Sequence, residues 1–208
     1  MTEDEAREAL AKNVSRETMA RLEGYAVTLI KWQKAMNLIA SASLTHIWAR
    51  HFLDSAQILP LAPAGPGHWL DVGSGAGFPG MVCAIIGAEV LPKTRWTFIE
   101  SDQRKATFLR EVARGAGVDV TVLAERVEDV PLQLADVISA RAVAPLPRLL
   151  DLTHRHLAPR GICLFQKGAA HATEVAEAAR HWHMSVDAIP SKTAPSSVIL
   201  RISELSHA

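Results

Sequence analysis

Through the first sixty or so residues, apolar positions return at helical spacing; beyond them they gather in short bursts of strand length. Thr2 and Glu5 stand three apart as a capping box and predict a short polar helix behind them. Ser15 is placed to cap a second helix, with Val14 and Met19 as its hydrophobic staple. Met19, Leu22, Ala26, Leu29 and Met36 then form one apolar stripe. A third helix is predicted from about Thr45 to Pro60, with Trp48, Phe52, Ser55 and Leu59 on one face. The plain reading of all three stripes is packing against a core.

Pro60, Pro63, Gly65, Pro66 and Gly67 interrupt the helical pattern. After them, strands are predicted at His68–Val72, Arg95–Glu100, Val118–Ala124, Asp136–Ala140, Gly161–Lys167, Met184–Ile189 and Val198–Ile202. Helices are predicted between them at Pro79–Ile86, Gln103–Arg114, Leu146–Leu157 and Ala172–His183. Alternating strands and helices build a parallel sheet from β-α-β units. The last two strands have only a proline-containing loop between them and predict a closing antiparallel hairpin. The expected architecture is a single α/β domain of Rossmann-like type: a helical extension over 1–64, then a seven-stranded, mostly parallel core over 65–208.

The densest chemistry lies in Trp69-Leu70-Asp71-Val72-Gly73-Ser74-Gly75-Ala76-Gly77-Phe78-Pro79-Gly80. A buried strand ends in an acid, three glycines follow at alternate positions, and a proline suits the first turn of a helix. Such a loop lies at the carboxyl end of a sheet strand, where ligands bind in open α/β folds, and glycine lets a ligand approach the backbone. Gly75, Gly77 and Gly80 also satisfy the dinucleotide fingerprint. Against that reading, the Asp-Val-Gly-x-Gly-x-Gly order resembles the first motif of S-adenosylmethionine methyltransferases, and the remaining chain is too short for a dehydrogenase substrate domain. Glu100, ending the second strand, has the spacing of an acid that accepts both ribose hydroxyls.

Charge narrows the partners without choosing one. Twenty-two Lys and Arg balance 22 Asp and Glu, so nucleic acid could be held only through a local basic patch or as a structured target. Lys31, Lys34, Arg50, His51, Arg104 and Lys105 are candidates for that patch beside the ligand mouth. Cys83 and Cys163 each lie in an apolar segment and read as buried hydrophobes of a reducing compartment. The acidic start, Glu3-Asp4-Glu5, is the wrong charge for a signal peptide, and no apolar run is long enough to span a bilayer. A cytoplasmic monomer is expected. The histidines have no metal-ligand spacing, so no metal site is expected.

Several of these segments together resemble one family. Arg50-His51-Phe52-Leu53-Asp54-Ser55, Asn37-Leu38 upstream, the glycine loop with its Phe78-Pro79-Gly80 ending, and Arg126-Val127-Glu128 occur in the order found in the RsmG (also called GidB) family, from about Trp32 to Gly168. The resemblance implies methylation of N7 of a guanine in small-subunit (16S) ribosomal RNA, on the RNA or on an assembling small subunit, with S-adenosylmethionine as donor. It implies that Asp71, Gly73, Gly75, Gly77 and Phe78 belong to the cofactor loop. Val127 and Glu128 fall on the adenine side, Arg141 matches a cofactor-site arginine, and Lys167-Gly168 matches a Lys-Gly pair, with Lys167 counted toward the RNA. Guanine N7 carries a lone pair and no proton, so no general base is required. His51 reads as a structural or phosphate-binding histidine. A small-molecule methyltransferase and a non-catalytic dinucleotide-binding module are the alternative readings.

Overall fold

A computed structural model describes all 208 residues. The sheet comprises β1 (His68–Val72), β2 (Arg95–Ile99), β3 (Val120–Leu123), β4 (Ala135–Arg141), β5 (Leu157–Lys167), β6 (Trp182–Pro190) and β7 (Val198–His207). Their order is β3-β2-β1-β4-β5-β7-β6. Every pairing among β1 to β5 is parallel; β7 runs antiparallel to both β5 and β6, closing the sheet with the expected hairpin. The strand order reverses between β1 and β4. That switch point opens a crevice at the strands' carboxyl ends.

Strand alternation divides the apolar side chains between two cores. Trp69, Val137, Ile162 and Leu164 face one core, while Leu70, Ile138, Cys163 and Phe165 face the other. The first core is covered by α4 (Gly80–Val90) and α5 (Gln103–Ala116), the second by α6 (Leu146–Thr153) and α7 (His171–Ala178). Helix α4 is buried from Gly80 through Gly87, because a second helical layer lies over it. That layer is the amino-terminal segment, α1 (Glu3–Ala11) and α2 (Arg16–Gln33), whose Ala6, Leu10, Leu22 and Leu29 are buried in the first core. The Thr2–Glu5 capping box is formed, and Ser15 accepts from the Thr18 N–H.

The third predicted helix is not one α-helix. A 3-10 turn at Ser41–His46 leads into a π-helical turn at Trp48–Leu53, a single α-turn, α3 (Asp54–Ala56), and a 3-10 turn at Leu59–Leu61. Outside contacts compete with its regular bonding. The Glu3 carboxylate accepts from the Trp48 and Ala49 N–H groups at 2.9 and 3.0 Å, and Pro60 breaks the far end. Helix α2 ends before Met36 because the Gln33 side chain accepts from the Leu38 and Ile39 N–H groups and turns the chain. Helix α6 stops at Thr153, and a 3-10 turn at His154–His156 brings β5 in at Leu157. The closing hairpin is longer than its apolar alternation indicated: Trp182 pairs with His207. No helix is long and apolar enough to cross a membrane.

Candidate active site

The glycine loop leaves β1 and is pinned from both sides. The N–H groups of Gly73 and Ser74 donate to the Ile99 carbonyl at 2.9 and 3.1 Å. Glu100, buried just past β2, accepts from the Gly75 N–H at 2.7 Å with Oε2 and from the Asp102 N–H at 2.8 Å with Oε1. Gly73, Gly75 and Gly77 all have positive φ, near +64°, +56° and +90°. At Gly77 a second reason for glycine appears: a Cβ would strike the Tyr25 hydroxyl and Met81. The Tyr25 hydroxyl itself donates to the Ala76 carbonyl, so helix α2 holds the loop directly.

Asp71 lies beneath the loop and takes no part in its open face. It is fully buried, and its Oδ1 accepts from Ser139 at 2.5 Å, with Trp69 Nε1 donating in turn to Ser139 at 2.9 Å. Its other oxygen has no hydrogen-bond partner. Burial pushes its carboxyl up to about 6, against the hydrogen bond from Ser139 that favours the anion. Phe78 is buried as well. Its ring stacks with Tyr25 and His51, at 5.4 and 4.9 Å between centroids, and the Arg141 guanidinium stands 5.0 Å from its centre.

Arg141, ending β4, reaches back to the Arg50–Ser55 segment. It donates to the Arg50 carbonyl at 3.2 Å and to His51 Nδ1 at 2.9 Å, and lies 3.4 Å from Asp54 Oδ2. His51 Nε2 is 2.9 Å from Ser43 Oγ. Burial, then the charges of Arg141 and Arg50, lower the His51 imidazole to about 3. His51 is therefore neutral, with both ring nitrogens engaged, and does not join a basic surface. Asp54 is a hub the sequence reading did not single out. Its Oδ1 accepts from Gln57, Ser191 and Thr193, and its Oδ2 from Gln166 at 2.6 Å, so that with Arg141 it ties four segments together.

Two cavities flank this frame. One of about 280 Å³ is lined by Gly73, Glu100, Val127, Glu128 and Val143 among others. The second, about 450 Å³, is lined by Asp54, Arg141, Gln166, Lys167 and Glu174 among others. Val143 and Ala144 border both, so the cavities adjoin at the loop after β4. Glu128 is held at the first by Arg148 at 2.8 Å. Lys167 is mostly buried, donating to the Ala144 carbonyl at 2.6 Å and to Glu174 at 2.8 Å, and is thus part of a wall. Lys31, Lys34, Arg50 and Arg104 are exposed and Lys105 half-buried; Arg104 donates to the Ala35 carbonyl at 3.1 Å, joining the start of α5 to the segment after α2. Tyr25, Ser43, Asp54, Gln166 and Glu174 were not in the sequence-derived set. Only Tyr25 and Asp54 left a trace in the sequence, Tyr25 at helical spacing from Leu22 and Asp54 inside the Arg50–Ser55 motif.

Residues 18–199 match the GidB family, described as rRNA small subunit methyltransferase G. A ribosomal RNA small subunit methyltransferase G from Cereibacter sphaeroides is 53% identical over 207 residues, covering 100% of both chains. Another from Rhodospirillum centenum is 50% identical over 195 residues, covering 94% of this chain and 88% of its own. Among solved structures, a SAM-dependent methyltransferase from Aquifex aeolicus superposes with a TM-score of 0.58 at 17% identity, covering 84% of this chain and 97% of its own. An O-methyltransferase from Bacillus cereus in complex with SAH gives 0.57 at 10% identity, covering 86% and 90%. At those identities the structural likeness is one of fold.

Proposed function

We propose, from the premise that the chain belongs to the rRNA small subunit methyltransferase G family, that it transfers a methyl group from S-adenosylmethionine to N7 of a guanine in small-subunit ribosomal RNA. The observation that carries this reading is the pair of cavities meeting at Val143 and Ala144, one at the glycine loop and one at the ends of β4 and β5. A transfer between two bound molecules needs that arrangement.

The residues of the smaller cavity fit the donor. Glu100 places a carboxylate beside Gly75, where a ribose can share its oxygens. Val127 supplies a buried apolar side and Glu128 a polar rim for an adenine. Gly73 lines the cavity, and the unhindered backbone at Gly75 leaves a path to the glycine loop. When bound, S-adenosylmethionine supplies an electrophilic methyl group on a sulfonium. What the protein contributes is alignment, an effect worth about 7–11 kcal/mol in favourable cases. Arg141 stands at the border of the second cavity with its direction fixed by His51, Asp54 and the Arg50 carbonyl; there its charge holds the donor's carboxylate or the loop that positions the acceptor. No side chain here is needed to remove a proton, since guanine N7 has none. His51, with both nitrogens engaged, offers no base. Arg50, Lys34 and Arg104 remain as exposed cations for the RNA backbone.

Incubation of the protein with small ribosomal subunits and methyl-labelled donor, followed by digestion to nucleosides, tests the proposal. The expected product is labelled 7-methylguanosine. A different methylated nucleoside, or none, would remove it.

A further inference from the structure

The larger cavity contains a carboxylate whose position the transfer reaction leaves unexplained. Glu174, in α7, lines the cavity with one oxygen committed and one free. Oε2 accepts from the Leu146 N–H at 2.7 Å and from Lys167 Nζ at 2.8 Å. Oε1 has no partner in the protein and is not sealed from solvent. A lysine and a backbone amide thus aim the carboxylate, and the free oxygen is a fixed hydrogen-bond acceptor. The loop on the neighbouring wall is of the opposite kind. The N–H groups of Ala142, Val143 and Ala144 make no hydrogen bond within the protein, and Ala142 has a positive φ of 56°.

We infer that Glu174 selects guanine, its Oε1 accepting from the N1–H and N2–H₂ donors of the base's Watson–Crick edge. This rests on the reading of the protein as a guanine-N7 methyltransferase and adds which residue tells guanine from adenine. The base complements the walls: guanine presents donors at N1 and N2 and acceptors at O6 and N7. With N1 and N2 against Glu174, O6 and N7 turn away from α7, toward the amide donors of the 142–144 loop and the border with the smaller cavity. Adenine would set the lone pair of its N1 against the carboxylate and leave Oε1 unsatisfied. A site built around a polar partner rejects the analogue that lacks it far more strongly than an apolar pocket can. At about 450 Å³ the cavity has room for a base turned out of its stack, and a base so displaced is read on this edge.

The test uses the whole enzyme and small subunits assembled on ligated RNA carrying either guanine or inosine at the methylated position. Inosine keeps O6, N7 and N1–H and lacks only the N2 amino group. The wild type is expected to methylate the guanine substrate with kcat/KM roughly tenfold or more above the inosine substrate. In Glu174→Gln that ratio falls to near one, with S-adenosylmethionine affinity unchanged. A purely structural Glu174 would slow both substrates alike and leave the ratio where it was. A wild-type ratio near one overturns the inference whether or not the variant folds, and so does a Glu174→Gln enzyme that keeps the wild-type ratio. If wild-type enzyme makes no 7-methylguanosine on the guanine subunits, the reading of the function fails instead.

Discussion

Arg141 Nη2 donates to Nδ1 of His51 at 2.9 Å, joining the end of β4 to a helical turn ninety residues earlier in the chain. The guanidinium has donors only, so Nδ1 must be the accepting nitrogen. Nε2 then carries the ring proton and donates to Ser43 Oγ, whose own hydroxyl donates to the Ala40 carbonyl at 2.7 Å. The Arg50–Ser55 motif therefore serves to aim Arg141: the Arg50 carbonyl, the His51 ring and the Asp54 carboxylate each hold one side of it.

Arg141→Ala is expected to lower methyl transfer to small subunits at least tenfold, about 1.4 kcal/mol of transition-state stabilisation, while the protein stays folded. Arg141→Lys restores only part of the rate, because a single ammonium cannot reproduce the three-sided hold. His51→Leu keeps an apolar side chain against Phe78 and removes the acceptor, so it should cost the same kind of rate loss. Its effect in the double variant with Arg141→Ala should be much less than additive. Initial rates for the wild type, Arg141→Ala, His51→Leu and the double variant decide the matter; full additivity would show that the two residues act separately.

His51 also sets a pH dependence. Its folded-state value of about 3 lies below the ordinary 6.5, so an unfolded chain binds this proton before the native one does. The stability it contributes is complete above about pH 6.5 and is lost as pH falls toward 3. Denaturant midpoints across that range should fall less steeply for His51→Leu than for the wild type. Parallel curves would mean that the imidazole titrates normally in the folded protein.

Asp71 acts in the opposite sense. Its carboxyl is pushed up to about 6 from 3.8, so the native state holds the proton longer than the unfolded one. Stability from this group is present below about pH 3.8 and is withdrawn as pH rises through 6, by up to about 3 kcal/mol. Asp71→Asn keeps an acceptor for Ser139 and removes the buried charge. The stability difference, variant minus wild type, should therefore increase between pH 4 and 6.5 and then level off. A difference that does not change with pH would place the ionisation elsewhere.

Glu100→Ala is expected to weaken S-adenosylmethionine binding by about 1.5–3 kcal/mol, the scale for a hydrogen bond to a charged group. The structure adds a second cause. The variant also frees the Gly75 and Asp102 N–H groups that Glu100 now holds, loosening the loop. Calorimetric titration of a folded Glu100→Ala protein with S-adenosylmethionine measures the loss; wild-type affinity would remove Glu100 from the donor site.

Much of this frame was legible in the residues. The strand–helix alternation, the closing hairpin and the glycine loop each have a local cause that a sequence displays: short apolar runs buried on both faces, a missing crossover helix, and glycines where φ is positive. The site was less legible where its causes are distant. Asp71 and Phe78 sit in the motif yet point into packing, because the acid anchors Ser139 and the ring supports Tyr25, His51 and Arg141. Lys167 resembled a free cation until Glu174 and the Ala144 carbonyl enclosed it. Asp54 meets its partners over separations of up to 139 positions, and no periodicity announces such a hub. The π-helical turn escaped for the same reason, since its N–H partner is Glu3.

The amino-terminal helices are expected to be inseparable from the enzyme. Tyr25 and Phe52 are buried against Phe78 within the first core, and Tyr25 adds its hydroxyl to the Ala76 carbonyl of the glycine loop. Isolated helices of this length are marginal in water, and the sheet side would be left with Met81, Ile85 and Phe108 uncovered. Removing residues 1–60 should give an aggregating or molten product. Phe52→Ala should cost about 3–5 kcal/mol, the usual price of a large cavity. Tyr25→Phe separates the two roles of this layer. It keeps the ring packing and strips only the loop's hydrogen bond, so the Ala76 carbonyl loses a buried donor at a cost of about 1–3 kcal/mol. Because that loop is also the proposed cradle of the donor, Tyr25→Phe should bind S-adenosylmethionine several-fold more weakly while Phe108→Leu, destabilised through packing alone, binds it normally. Calorimetry on both variants, with thermal melts alongside, makes the comparison. A truncated 61–208 protein that melts cooperatively and binds S-adenosylmethionine like the full chain would show that the helices are an accessory layer after all.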